Sequence, residues 1–192
     1  MREQPPRNSS ASEPVSEREL LERLRRKDPE AQRLFYERHV GYLTAVCSRY
    51  VPDRPDIKDI LQDAFVQMFG AVDRFEYRGE GGLRAWAGRI VVNRALKWLK
   101  AKGRLSFVNE LPDVPEDEPT DIQKVPPEVL QGFIKALPDG YRTVFNLFVF
   151  EKKSHKEIAE LMGIKEDSSA SQFFRARAQL ARQIKKYIKD HE

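Results

Sequence analysis

From Arg104 to Pro126 the chain carries four prolines and six acidic residues, and neither a period of two nor one of 3.6 survives there. Such a run has no apolar face to bury and cannot join a packed core. It reads as a flexible acidic linker, extended by self-repulsion, and it divides the 192 residues into two small pieces. On both sides the apolar residues recur at helical spacing. The one strand-like run, VFNLFVF, reads better as the continuation of a helix. The expected fold class is therefore all-α, two small helical domains joined by a flexible linker. The expected boundaries are a disordered tail over 1–15, a domain over 16–103, the linker over 104–126 and a second domain over 127–192.

Capping signals divide the domains into helices. Ser16 and Glu19 have the spacing of a capping box, and Asp28-Pro29 places a cap before a proline at the first helical position. That second helix is expected to run to Val51, where Pro52 stops it, and to bury Cys47. A third, over about 54–76, sets Ile57, Leu61, Ala64, Met68, Val72 and Phe75 on one side. After the turn EYRGEGG a fourth runs over about 83–102, and PPEVLQGFIKAL and GYRTVFNLFVFEK supply two more.

Net charge is only +4, but it is unevenly placed. Leu83 to Arg104 holds seven Lys/Arg and no acid, whereas Asp53 to Glu76 holds six acids against three bases. Ser168 to Lys186 is again free of acids, with five Lys/Arg. Two basic patches separated by an acidic strip suit two polyanion contacts and a different partner for the strip.

The last 40 residues have the plan of a helix-turn-helix. Ser154 and Glu157 form a capping box, Ile158, Leu161 and Met162 face inward, and Gly163 supplies a left-handed turn, after which Asp167 or Ser168 caps the final helix. At 100° per residue, Ser168, Ser171, Gln172, Arg175, Gln179, Arg182 and Lys186 share one side, and Ala170, Phe173, Phe174, Ala176 and Leu180 the other. Short donors, then Gln and Arg, then cations suit a helix in the major groove of DNA. An amphipathic helix in an ordinary bundle also has a polar outer face. Arg177 falls inside the apolar arc, which periodicity does not explain.

The fourth helix differs. Leu83, Ala87, Ile90, Val91, Ala95, Trp98 and Leu99 make a broad apolar face, with Trp86, Arg89, Asn93, Lys97 and Lys100 opposite. An indole beside an amide and cations equips a helix for single-stranded DNA, by stacking, base-edge hydrogen bonds and backbone charge. The same spacing also suits a half-buried core tryptophan.

Three segments, DILQDAFVQMF, RFEYRGEGGLRAWAGRIVVNRAL and LPDGYRTVFNLFVFEKKSHKEIAELMGIKEDSSASQFFRARAQL, resemble the second and fourth regions of bacterial RNA polymerase sigma factors. Their order and spacing are those of the extracytoplasmic-function (ECF) group of the sigma-70 family. The resemblance implies that Asp59, Gln62, Asp63, Phe65 and Gln67 dock on the clamp coiled coil of core RNA polymerase, in its largest subunit. It implies that Gly79, Gly81, Gly82, Arg84, Trp86, Arg89, Asn93 and Lys97 open the promoter DNA at the −10 element and capture a flipped base. It implies that Ser168, Ser169, Ser171, Gln172, Phe174, Arg175, Gln179 and Arg182 read the −35 element. In relatives the linker threads toward the polymerase active-site cleft, and an anti-sigma factor commonly masks these surfaces. Gly82 and Ala85 stand where relatives often carry Ser or Thr, and Ala170 where they often carry Lys or Arg, which bears on which promoter is read.

Catalysis is not expected. His39, His155 and His191 are scattered, without metal-ligand spacing. RGEGG lacks the Lys-Ser/Thr of a phosphate loop, and Asp59 and Asp63, one turn apart, have no accompanying nucleophile. No cofactor is implied. A mean hydropathy of −0.63 and the lack of a long apolar run give no membrane insertion, and one cysteine admits no internal disulfide. The expected setting is the bacterial cytoplasm. A conventional repressor using only the helix-turn-helix is the main rival. It leaves the Trp86 face and the acidic third helix without a purpose.

Overall fold

The computed structural model describes residues 15–105 and 122–191. Residues 1–14 of the tail and 106–121 of the linker lie outside the described residues. Among those described, every regular element is helical: α1 (Glu17–Arg25), α2 (Pro29–Ser48), α3 (Arg54–Ala71), α4 (Gly82–Ala101), α5 (Pro127–Lys135), α6 (Asp139–Val149), α7 (His155–Met162) and α8 (Glu166–His191). The VFNLFVF run is helical through Val149, as its neighbours demanded.

Local chemistry sets most of the boundaries. Ser16 accepts from the Glu19 amide at 3.2 Å, but Glu19 makes no return bond that would complete the box. Asp28 accepts from the amides of Glu30 and Ala31, and its second oxygen takes Arg23 Nε at 2.8 Å, which holds the carboxyl below the usual range. The third helix ends at Ala71, short of the expected 76, and passes through a 3₁₀ turn at Val72–Arg74 before the chain becomes extended at Phe75.

The first unit is a bundle in which α4 is central, packed against both α2 and α3. Leu83, Ala87, Val91, Ala95 and Leu99 are buried as expected, and so are Gly88, Val92 and Leu96, because a helix covered on two sides needs a wider apolar face. Gly88 permits a close crossing: a Cβ there would stand 3.1 Å from Tyr42 Oη. Cys47 lies in this core, and burial pushes its thiol up to about 12. At roughly pH 8, where a free thiol is partly ionised, iodoacetamide is expected to label the folded chain far more slowly than the denatured one. Equal rates by mass spectrometry would show that Cys47 is accessible.

The second unit packs α8 against α6 and α7. Its buried centre is aliphatic, with Val144, Leu147, Ile158, Met162 and Leu180. Half-buried rings pack beside it: Phe173 lies 4.3 Å from Phe148 and 6.0 Å from Phe145, centroid to centroid, and His155 stacks on Phe148 at 4.8 Å. Such pairs each add on the order of 1 kcal/mol beyond the area they bury.

The two units meet at the C-terminal end of α2. Arg142 of α6, 5% exposed, donates to the carbonyls of Tyr50 (3.0 Å), Leu137 (3.1 Å) and Lys135 (3.0 Å), and pairs with Asp139. Asn146 donates to the Arg49 carbonyl at 2.8 Å. A helix leaves its last carbonyls without internal partners, and here side chains from the other unit satisfy two just beyond the end of α2. Arg49 lies 3.9 Å from Glu151 and over the Phe150 ring, and Arg104 reaches toward both Asp53 (4.0 Å) and Asp139 (3.8 Å).

Candidate nucleic-acid interface

The turn between Phe75 and α4 contains Gly79 at φ +120° and Gly81 at φ +81°, backbone that only glycine adopts cheaply. It folds over the N-terminus of α4 and leaves a concavity of about 330 Å³, lined by Arg74, Phe75, Glu76, Arg78, Gly82, Ala85, Trp86 and Arg89. That volume lies at the small end of ligand sites, roughly 300–1,000 Å³. Trp86 is half-buried with its ring 5.2 Å from Phe75, tilted by 46°. Trp86 is thus half-buried, as a core tryptophan would be, and it also lines the concavity. Phe75 is buried beneath Trp86, and Arg74, Arg78 and Arg89 share the lining with Glu76, which pairs with Arg78 at 2.9 Å. An indole beside cations can stack an unpaired base and hold its phosphates.

Of the residues expected here, Gly82, Trp86 and Arg89 line the concavity, and Gly79 and Gly81 build its turn. Asn93 and Lys97 are exposed further along α4. Arg84 points elsewhere, its guanidinium 3.9 Å from the Tyr42 ring centroid. Sequence reasoning named Ala85 only as a departure from relatives, and did not single out Arg74, Phe75 or Arg78 for this site. The signal available was the motif RFEYR itself, an aromatic between arginines directly before the glycine turn.

The helix-turn-helix is present. Ser154 and Glu157 make the full reciprocal box, and Gly163 ends α7 at φ +71°. The final helix starts at Glu166, a residue or two before the expected cap. Its orientation corrects the projected faces. Gln172 and Arg175, expected on the solvent side, are buried at 2% and 5% exposure, and Phe174, placed on the apolar side, is 45% exposed. Ser169 is buried and its hydroxyl meets His155 Nδ1 at 3.0 Å. Ser168, Ser171 and Gln179 are half-buried, while Arg182 is exposed. The outward line is Ala170, Phe174, Arg177 and Lys185, so Arg177, anomalous by periodicity, simply faces out. The helix is turned so that Phe173, half-buried, packs on Phe145 and Phe148, while Phe174 is left outside.

Elsewhere on the first unit, α2 and α3 border an apolar groove of about 1,000 Å³, whose lining includes Tyr36, Val40, Leu61, Phe65, Val66 and Phe69. Val66 is 69% and Tyr36 48% exposed, so two large apolar side chains of this lining meet solvent together. Of the expected polymerase contacts, Gln62 and Phe65 line this groove. Asp63 and Gln67 instead receive Arg94 of α4, at 3.3 and 2.7 Å, and Asp59 is exposed. The five residues thus lie on two faces of α3 rather than one.

Among the described residues no cluster of three or more His, Cys, Asp or Glu could hold a metal ion, and no helix is long and apolar enough to cross a membrane. Two family models match the chain: Sigma-70 region 2 over residues 35–105 and Sigma-70, region 4 over residues 128–180. The chain belongs to the sigma-70 family. This sigma factor is 27% identical to the "ECF RNA polymerase sigma-E factor" of Escherichia coli (strain K12), over 93% of this chain and 99% of that protein. It is 28% identical to the protein of the same description from Haemophilus influenzae, over 90% and 97%. These relatives mark the ECF group of the family, whose members are initiation factors rather than enzymes. A solved structure, the sigma factor RpoE of Bartonella quintana with the anti-sigma factor NepR, is similar over 80% of this chain and 96% of its own, at 18% identity and a TM-score of 0.49.

Proposed function

We propose that this sigma factor completes a bacterial RNA polymerase by two separate DNA contacts, a single-stranded one at the concavity beside Trp86 and a duplex one along α8. The observation that carries the reading is the combination, within one chain, of a base-sized aromatic recess ringed by Arg74, Arg78 and Arg89 and a capped helix-turn-helix. A repressor needs only the second. Trp86, backed by the buried Phe75, receives an unpaired base of the −10 element, with Arg89, Asn93 and Lys97 along its backbone. For the −35 element the burial pattern favours the exposed Phe174, Arg177 and Arg182, with the half-buried Ser171 at their edge and Gln172 and Arg175 shaping the helix from beneath. The α2–α3 groove, with Gln62 and Phe65, takes an apolar helical surface of the core polymerase. An anti-sigma partner would compete for these same surfaces. The reading puts the chain in the bacterial cytoplasm, where its polymerase and promoter are.

The test mixes the purified chain with core polymerase from a related bacterium and a promoter found by genomic selection. Co-elution, with permanganate-reactive thymines at one upstream position, is expected. Trp86→Ala is expected to leave assembly intact and to slow opening by on the order of tenfold, the weight of about one stacking contact. Failure to assemble with core, together with tight binding of the chain alone to a duplex palindrome, would establish the repressor instead.

A further inference from the structure

The N-terminus of α4 lacks a cap of its own. The preceding turn, YRGEGG, offers no Ser, Thr, Asp or Asn, and Gly81 stands at the N-cap without a side chain to bond the first amides. Two amides at this end are nevertheless bonded from a distance. Glu17, the first residue of α1, accepts from Gly81 N at 2.9 Å through one oxygen and from Leu83 N at 2.8 Å through the other. A carboxylate taking two amides at a helix start gains from charge-assisted bonding and from the helix dipole. From the other end of α1, Arg25 donates to the Phe75 carbonyl at 2.7 Å. One short helix therefore grips both ends of the turn, and α1 is itself anchored by Leu20, Leu21 and Leu24 in the core.

The grip converges on the concavity. A Cβ on Gly82, one of its lining residues, would stand 3.7 Å from Glu17 Oε1 and 3.6 Å from Phe75 Cζ. The Sigma-70 region 2 match begins only at residue 35, so α1 lies outside it. We infer that Glu17 is a positioning residue for base capture: its carboxylate fixes the Gly79–Gly82 turn and the first turn of α4, and so sets where Trp86 and Arg89 stand. This inference rests on reading the concavity as the site for an unpaired −10 base. Glu17 touches no DNA; it acts through the backbone it holds.

The test uses the full chain assembled with core polymerase and compares Glu17→Ala, Glu17→Gln and Trp86→Ala. Two quantities are measured for each, the affinity for core and the rate of promoter opening by permanganate footprinting. Loss of an N-cap acceptor corresponds to roughly a tenfold effect. Glu17→Ala is therefore expected to slow opening by about that factor with core affinity unchanged. Glu17→Gln keeps one acceptor oxygen, and is expected to fall between Ala and the parent. If Trp86→Ala slows opening and Glu17→Ala does not, the role given to Glu17 is overturned while the reading of the concavity stands. If Trp86→Ala also has no effect, the reading of the concavity falls and takes the Glu17 role with it. A parallel loss of core affinity, opening rate and thermal midpoint in Glu17→Ala, with Glu17→Gln no better, would make Glu17 a general brace and also overturn the inference.

Discussion

Arg142→Ala is expected to lower the stability of the chain by roughly 3 kcal/mol, since it removes a buried cation and strips partners from several acceptors together. The guanidinium serves the carbonyls of Tyr50, Leu137 and Lys135 and the carboxylate of Asp139. An alanine would leave the Leu137 and Tyr50 carbonyls to find water at a site that is 5% exposed with arginine in place. Lysine should rescue little, because one ammonium cannot reproduce a planar fork aimed at separate acceptors. Urea denaturation followed by circular dichroism measures the loss, with Arg142→Lys as the control. A change below about 1 kcal/mol, the net value of a single ordinary hydrogen bond, would mean that these carbonyls are already hydrated in solution. The union of the two units at α2 would then be absent.

Phe35→Ala should produce a second large effect, about 3–5 kcal/mol for a fully buried ring. Phe35 is 1% exposed and lies 6.1 Å from Phe65 and 6.0 Å from Phe69, edge-on to both, and 4.6 Å from His39. Phe65 and Phe69 form one wall of the α2–α3 groove. The cavity left behind should therefore weaken the first unit and also slacken the surface offered to the polymerase. Phe35→Leu, closer in volume, should lose only about 1 kcal/mol and keep most of the affinity for core. Melting and co-elution measured on both variants decide the matter. Normal melting of Phe35→Ala would contradict the burial described for this ring, and equal core affinity in a folded Phe35→Ala would separate the groove from polymerase docking.

What could be read in the sequence was whatever local chemistry dictates. Asp28-Pro29, Ser154 with Glu157, and Gly163 each announce a helix end within a few residues, and each stands where its spacing put it. The apolar stripe of α3 also buries the residues it named. The failures share a cause. Projecting α8 by polarity assumed that glutamine and arginine face water, yet Gln172 and Arg175 are covered, and which of two adjacent phenylalanines turns inward depends on α6 and α7. Polar side chains are mostly outside, and that rule has no knowledge of a helix packed on more than one side. Neither the Glu17 contact nor the Arg142 contact leaves a periodic trace. Gly81 lies 64 residues from Glu17 and Tyr50 lies 92 from Arg142, beyond any window in which a pattern repeats.

The end of α2 is finished by side chains that belong to the other half of the chain. Tyr50 and Arg49 carry the carbonyls, while Arg142 and Asn146 carry the donors. That separation of ownership makes the Tyr50 carbonyl a natural gauge. With ¹³C placed on that one carbon, its resonance has one value beside a guanidinium and another in water. The same label, followed as polymerase or promoter is added, would report at a single atom whether the two halves travel together or apart.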